Sequence, residues 1–120
     1  MNGIENSERS EEMVSFEEFK RVELRVAKIV TVEDIPGKDK LYKLSVDIGE
    51  EKPRTIVAGL KPFYSKAQME GKQIVVVANL DPKPLAGILS EGMLLAVKNK
   101  AGEYSLLTVE SESEPGTRVE

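Results

Sequence analysis

An all-β domain with short helices, closed as a five-stranded barrel, is the fold class this chain of 120 residues predicts. Three observations carry that expectation. Five stretches have the alternation or the unbroken apolar character of strands, with Gly-, Pro- and Asp-containing turns between them. The change to a helical period, Lys61 to Gly71, falls between the third and fourth of these. The fourth, Ile74-Val75-Val76-Val77, is apolar on both faces, as befits a strand inside a closed barrel or under a partner chain. Five strands with a helix between the third and fourth are the arrangement of the OB-fold, a partly open Greek-key barrel. A small β-sandwich is the alternative, disfavoured by the central helix and the short chain.

In chain order, residues 1–12 are polar, acidic and without periodicity, and read as a disordered tail. Ser15 and Glu18 form a capping box, with Val14 and Phe19 placed as its hydrophobic staple, so a helix of one or two turns begins there. A first strand is expected from about Arg21 to Val32, with a phase slip that predicts a bulge near Ala27. Pro36-Gly37 turns the chain. Tyr42, Leu44, Val46 and Ile48 then share one face, and Lys43, Ser45 and Asp47 the other, as in a half-buried antiparallel strand. Arg54 to Ala58 is a short third strand. Pro62 suits a first helical turn, Ser65 with Gln68 offers a second capping box, and Gly71 a stop. The fourth strand spans Lys72 to Ala78, the fifth Met93 to Val97, and a sixth short one Tyr104 to Val109 after the turn at Gly102. The domain is expected over residues 13–109, and residues 110–120 form an acidic C-terminal extension. Both ends are expected to add little to folding, because they offer little to bury.

Composition narrows the chemistry. The absence of cysteine excludes disulfides and thiolate metal sites, and the absence of histidine removes the commonest general base and metal ligand. No spacing supports an Asp/Glu dyad or a lysine nucleophile. A non-enzymatic protein without cofactor or metal is therefore expected. No run approaches the roughly twenty apolar residues of a membrane helix and no signal peptide opens the chain, so a cytosolic location is expected. The net charge of −4 argues at first against a nucleic-acid partner. Its distribution changes that reading: residues 1–12 and 110–120 each carry −3, which leaves +2 on residues 13–109.

The stretch with the most chemistry is Asn79 to Met93, N-L-D-P-K-P-L-A-G-I-L-S-E-G-M. Pro82 and Pro84 remove backbone donors, so a stiff loop without secondary structure is expected between two core strands. Loops of that length are uncommon unless they bind something. Asn79, Lys83 and Ser90 suit phosphate and sugar oxygens; a proline-braced structural connection is the alternative. Lys40, Lys43 and Arg54 could line up as a basic strip, with Arg54 the better phosphate ligand because of its planar fork. Each could equally be a solvated surface cation, Ser90 could cap a turn, and Met93 could fill the core. Only Tyr104 is placed as a free aromatic, which favours a structured RNA read by shape over a single strand read by stacking.

Four segments in order resemble one family. They are Val22-Glu23-Leu24-Arg25-Val26-Ala27-Lys28-Ile29, Pro36-Gly37-Lys38-Asp39-Lys40-Leu41-Tyr42, Arg54-Thr55-Ile56-Val57-Ala58-Gly59-Leu60, and Asn79 through Leu94. From about Ser15 to Val109 the chain resembles the tRNA-binding OB domain of the methionyl-tRNA synthetase beta subunit. Free-standing dimeric tRNA-binding proteins, synthetase-associated cytokine-like domains and a bacterial export chaperone share that domain. The resemblance implies a homodimer that grips the outer corner of the tRNA L. It also implies contacts by Lys40, Arg54, Asn79, Lys83, Ser90 and Met93, and a methionyl-tRNA synthetase catalytic chain as a possible partner. The chain departs from the family pattern at Ala27, where glycine is usual, at Lys38, where alanine is usual, and at Asp81, Leu85 and Ala86, where the loop is usually more basic. Two other functions compete: a peptide-binding, chaperone-like dimer using Leu85, Ile88 and Leu89, and a docking subunit of a synthetase with little RNA contact.

Overall fold

The computed structural model describes residues 12–120. A short helix α1 (Phe16–Lys20) leads into β1 (Leu24–Ile35), which turns through Pro36-Gly37 into β2 (Lys38–Asp47). β3 (Arg54–Ala58), helix α2 (Lys66–Met69) and β4 (Gln73–Val77) follow. The strands β5 (Lys83–Leu85), β6 (Ile88–Ser90), β7 (Met93–Leu94), β8 (Ala96–Lys98), β9 (Tyr104–Leu106) and β10 (Arg118–Val119) complete the chain. The main sheet has the order β3-β2-β1-β4-β7, all neighbours antiparallel, and curls into a nearly closed five-stranded barrel. That is the OB-like barrel the alternation predicts.

The core is made by the inward residues of these strands. Tyr42, Leu44, Val46 and Ile48 of the β2 segment are buried, and Lys43, Ser45 and Asp47 are half-exposed. Ala27, Ile29 and Val32 of β1, Ile56 and Ala58 of β3, and Ile74 and Val76 of β4 pack with them. Met69, the one buried residue of α2, plugs the barrel between β3 and β4. Ser65 and Gln68 make both bonds of the expected capping box, so a four-residue helix holds its place. Every residue of β4 from Ile74 to Val77 is buried within one chain. The double burial read from its sequence is therefore met by the barrel itself and needs no partner.

Three expectations are corrected. The β1 bulge lies at Val30, not near Ala27: Ile29 pairs with Val46 and Thr31 with Ser45, and the extra residue puts both Ile29 and Val32 in the core. The Asn79–Gly92 stretch is not a structureless loop. It holds a hairpin, β5 against β6, turned at Ala86 and Gly87, both at positive φ (52° and 77°) as a two-residue type I′ turn requires. Pro84 is tolerated because it faces Leu89 one step from the turn pair Leu85–Ile88. By alternation that is a position whose backbone groups point away from the partner strand, so the missing N–H costs no ladder bond. Third, the C-terminal residues are part of the fold. Arg118 and Val119 pair with Arg25 and Leu24 of β1. Gly116 donates to the Val26 carbonyl at 2.7 Å, and Val26 donates to Thr117 at 2.8 Å. The Gln73 side chain bonds both backbone groups of Ser113.

Two glycines make that return possible. Gly49 and Gly116 pass so closely that a Cβ on Gly116 would lie 2.5 Å from the Ile48 carbonyl, and one on Gly49 would lie 2.6 Å from the Pro115 carbonyl. Both have positive φ, at 83° and 95°. Gly116→Ala should therefore destabilise the protein by about 2 kcal/mol or more, through strain and clash together. Deleting residues 111–120 should lower the melting temperature by at least about 5 °C. A thermal melt checks both, and an unchanged midpoint would refute the packed C-terminus.

Candidate nucleic-acid interface

The seven residues singled out from sequence sort into two groups. Lys40, Lys43, Lys83 and Met93 present their side chains to solvent, fully or in part. Arg54, Asn79 and Ser90 are turned to internal work.

Ser90 is 4% exposed. Its hydroxyl accepts the Val57 N–H at 3.0 Å and donates to the Gly92 carbonyl at 3.3 Å. Next to it, Glu91 accepts the Thr55 N–H on its carboxylate at 2.9 Å, while its own N–H donates to the Thr55 carbonyl at 2.8 Å. The free edge of β3 is thus met by two side-chain oxygens standing where the carbonyls of a neighbouring strand would stand. Asn79 works the same way on β1: its amide oxygen accepts from Glu23 at 2.8 Å, and its amide nitrogen donates to the Arg21 carbonyl at 2.6 Å. These contacts fix the two ends of the β5–β6 hairpin relative to the barrel.

Arg54 joins the same frame. Its Nε and Nη2 donate to the two oxygens of Glu50 at 2.9 and 2.8 Å, and its Nη1 donates to the carbonyls of Ala78 and Glu91 at 2.5 and 3.1 Å. The pairing with Glu50 raises the guanidinium pKa and lowers that of the carboxyl. One side chain thereby ties the β2–β3 turn, the end of β4 and the end of the hairpin.

Within the exposed group, Lys43 and Lys83 are related through neighbouring strands. Lys43 pairs in register with Val57 of β3, Val57 donates to Ser90, and Ser90 pairs with Lys83 of β5. Lys43 and Lys83 therefore mark the two ends of one line across four strands. Arg54 lies opposite Val46, three residues from Lys43 along β2 and roughly 10 Å away. The expected strip Lys40–Lys43–Arg54 is therefore not one face: by alternation Lys43 points to the side of β2 opposite to Lys40 and to Val46, the partner of Arg54, and Arg54 is already paired. Met93 sits on β7 opposite Val77 and is 48% exposed, so it is not a core residue.

Sequence reasoning missed the acidic partners. Nothing local in the sequence announces that Glu50 would meet Arg54 across a turn, or that Glu91 would act as a strand mimic. It also missed Asp34, which holds Lys61 and Lys66 at 2.9 Å each and so fastens the β1–β2 hairpin to α2. The hydrogen bond from Lys66, then that from Lys61, keeps the Asp34 carboxyl below its ordinary pKa. The aromatics are mostly engaged: Tyr42 donates to the Tyr64 carbonyl, and the Tyr64 hydroxyl accepts from Leu106. Tyr104 is 38% exposed and meets Phe63 edge-on with centroids 5.4 Å apart. Among the described residues no cluster of side chains could hold a metal, and no helix is long and apolar enough to cross a membrane.

The sequence that builds this barrel matches a known family. The family described as "Putative tRNA binding domain" matches residues 24–118. The chain belongs to that family. It is 44% identical over 108 residues to methionine–tRNA ligase of Methanocaldococcus jannaschii, covering 90% of this chain but 16% of the ligase. The match is therefore to one module of a much longer enzyme. Among solved structures, the MetRS related protein of Pyrococcus horikoshii superposes with a TM-score of 0.82 at 34% identity, covering 89% of this chain and 97% of that one. The chaperone CsaA of Bacillus anthracis superposes with a TM-score of 0.80 at 31% identity, covering 90% and 99%.

The two groups of residues should separate in a melting experiment. Ser90→Ala leaves the buried Val57 N–H without a partner and should cost about 1–3 kcal/mol of stability. Lys83→Ala removes an exposed cation and should leave the melting temperature within error. Equal melting temperatures for the two variants would show that the side-chain seam is not structural.

Proposed function

We propose that this chain is a tRNA-binding accessory protein, like a methionyl-tRNA synthetase beta subunit, that grips the outer corner of the tRNA L by shape and phosphate contacts. It works in the cytoplasm as a homodimer and assists aminoacylation beside a methionyl-tRNA synthetase catalytic chain. The observation that carries this reading is a pair of solvent-facing cations, Lys43 on β2 and Lys83 on the braced hairpin, in a chain of the tRNA-binding family. Neither lysine, nor Lys40, is in an ion pair among the described residues. Rigid, solvent-facing cations at fixed spacing suit the phosphates of a folded RNA, where groove shape takes the place of base reading. Asn79, Arg54 and Ser90 act in this reading by holding the hairpin at the right height, and Met93 offers an apolar contact beside it.

Binding of this kind must weaken with salt, because each neutralised phosphate releases counterions. Lys43→Gln and Lys83→Gln should each reduce the slope of log affinity against log salt by about 0.7–0.9. Asp81→Lys, on the exposed approach to the hairpin, should steepen it by a similar step. Filter binding with bulk tRNA over a salt series checks this. If all three variants keep the parent slope and affinity, the interface lies elsewhere.

A homodimer is supported by α1. It has no buried residue, and Met13, Val14, Phe16, Phe19 and Val22 are 40–71% exposed around it. So short a helix is unstable alone in water, so a capping box without packing calls for a cover. A second copy is the cover proposed, with closed two-fold symmetry. Light scattering should give twice the chain mass, and Phe16→Glu should return it to one. A single-chain mass for the parent at micromolar concentration would refute the dimer.

A chaperone-like reading has its own support. Leu80, Leu85 and Leu89 are 36–53% exposed on and beside the hairpin, and the Bacillus anthracis neighbour is a chaperone by name. Binding of unfolded peptide with little salt dependence, and no binding of tRNA, would favour it.

A further inference from the structure

Arg54 is the cation best suited to phosphate and the one already occupied. We infer that the Nε–Nη2 edge of Arg54 is a phosphodiester-binding site, and that Glu50 is a resident competitor which RNA displaces. The inference rests on the tRNA-binding reading above.

The geometry supports an exchange. Glu50 meets the guanidinium through both oxygens, at 2.9 and 2.8 Å. Two non-bridging phosphate oxygens make the same parallel pair of bonds. The rest of the guanidinium is held independently, since Nη1 donates to the Ala78 and Glu91 carbonyls from two other segments. If Glu50 leaves, the fork keeps its plane and its direction. The mobile member is therefore the carboxylate. The Glu50 side chain is 47% exposed against 22% for Arg54, and it makes no other hydrogen bond or ion pair among those found.

Space allows it too. Two open clefts, of about 740 and 340 Å³, flank the pair, and Glu50, Arg54 and Ala78 line both. The larger one has Pro53, Leu80 and Pro82 as apolar wall, which suits the carbon face of a ribose. Glu50 stays tethered beside the site when displaced, so the incoming phosphodiester adds one negative charge there, and that repulsion is part of what the RNA must overcome. The other acids are already engaged: Glu23 with Arg25 at 3.1 Å, and Glu91 with the Thr55 N–H. Glu51 is adjacent to Lys52 in the chain. The raised Arg54 pKa keeps the fork charged throughout. A competitor at this point sets a threshold: only an anion presented by a shape-matched RNA, already held at Lys43 and Lys83, exchanges with a tethered carboxylate.

The decisive variant is Glu50→Gln, which keeps shape and loses charge. Its affinity for bulk tRNA should rise about fivefold, the worth of one exposed ion pair. Its salt slope should steepen by roughly one, because no freed carboxylate takes up a cation when Arg54 meets phosphate. Glu50→Asp, a methylene too short for the fork, should move both quantities the same way. Glu50→Gln combined with Arg54→Gln should lose the gain. A melt confirms that each variant folds, and the Arg54 Nε–H resonance gives a second reading that needs no Arg54 variant. With inorganic phosphate as probe, that signal should shift in Glu50→Gln at concentrations that leave the parent unmoved. Folded Glu50→Gln and Glu50→Asp proteins with parental affinity and slope, or a gain that survives Arg54→Gln, would overturn the inference. So would an Nε–H signal equally indifferent to phosphate in the parent and in Glu50→Gln. If neither protein binds tRNA at any salt but the signal still responds to phosphate, the tRNA reading fails and the anion edge stands.

Discussion

The edge of β3 is the point on which the barrel turns. Four backbone ladders join its five strands, but the closing joint, between β3 and the return of the hairpin, is made largely by side chains. The Ser90 hydroxyl and the Glu91 carboxylate take the N–H groups of Val57 and Thr55, both of which would otherwise be left without partners at a part-buried edge. A ladder would have forced residues 90–92 to run straight beside β3. Side-chain closure lets the chain bend there, through Gly92 at φ 148°, and come back as β7 paired with β4. A Cβ at Gly92 would stand 3.2 Å from the Val77 carbonyl, so the bend is tight as well as unusual. That bend is thereby bought with two polar side chains, Ser90 and Glu91, which then cannot also touch a ligand freely.

That division of labour gives the motif residues their meaning. Asn79, Arg54, Ser90 and Glu91 each hold backbone from at least one other segment, so the hairpin they support behaves as part of the barrel rather than as a flexible arm. A rigid hairpin loses little conformational entropy on binding, which is worth more for a shape reader than extra contacts would be. Of the cations singled out from the sequence, Lys40, Lys43 and Lys83 remain outside the frame. The overall charge is −4, with +2 on the central residues.

Much of this was legible in the sequence, and the boundary is physical. Period-two alternation in Tyr42–Ile48 and the unbroken Ile74–Val77 run report burial directly, so β2, β4 and the barrel class were readable. Capping boxes are local chemistry, and both Ser15–Glu18 and Ser65–Gln68 form. The bulge at Val30 was misplaced because a phase slip shows only that a residue is extra, and packing decides which one is expelled. The hairpin was hidden because its turn uses Ala86 at positive φ where Asn or Gly is the usual sign, and because Pro84 argues against a strand until its register is known. The acidic C-terminus looked dispensable because its contacts are backbone to backbone. Pro115-Gly116 reads as a turn, and nothing in it tells which strand it will meet. Site residues were found as types but not as roles: a motif serine or arginine does not say whether its polar atoms face a ligand or a neighbouring strand.

The hairpin itself sets what kind of grip is possible. Its base carries the cation, Lys83, and the approach to it an anion, Asp81, while its tip is Leu85-Ala86-Gly87-Ile88-Leu89. Family members with a basic tip could reach a phosphate at the far end; here the far end is apolar and half-open to solvent. Charge therefore acts close to the barrel, along the Lys43–Lys83 line, and the projecting end can contribute only contact area and exclusion of water. A flat or convex RNA surface resting on that line would bring the leucines against ribose and base edges instead of phosphate. The same apolar tip on the same frame also suits an extended peptide. In the tRNA-binding reading proposed above, it is the cations Lys43 and Lys83, rather than the barrel, that would favour RNA over protein as the occupant.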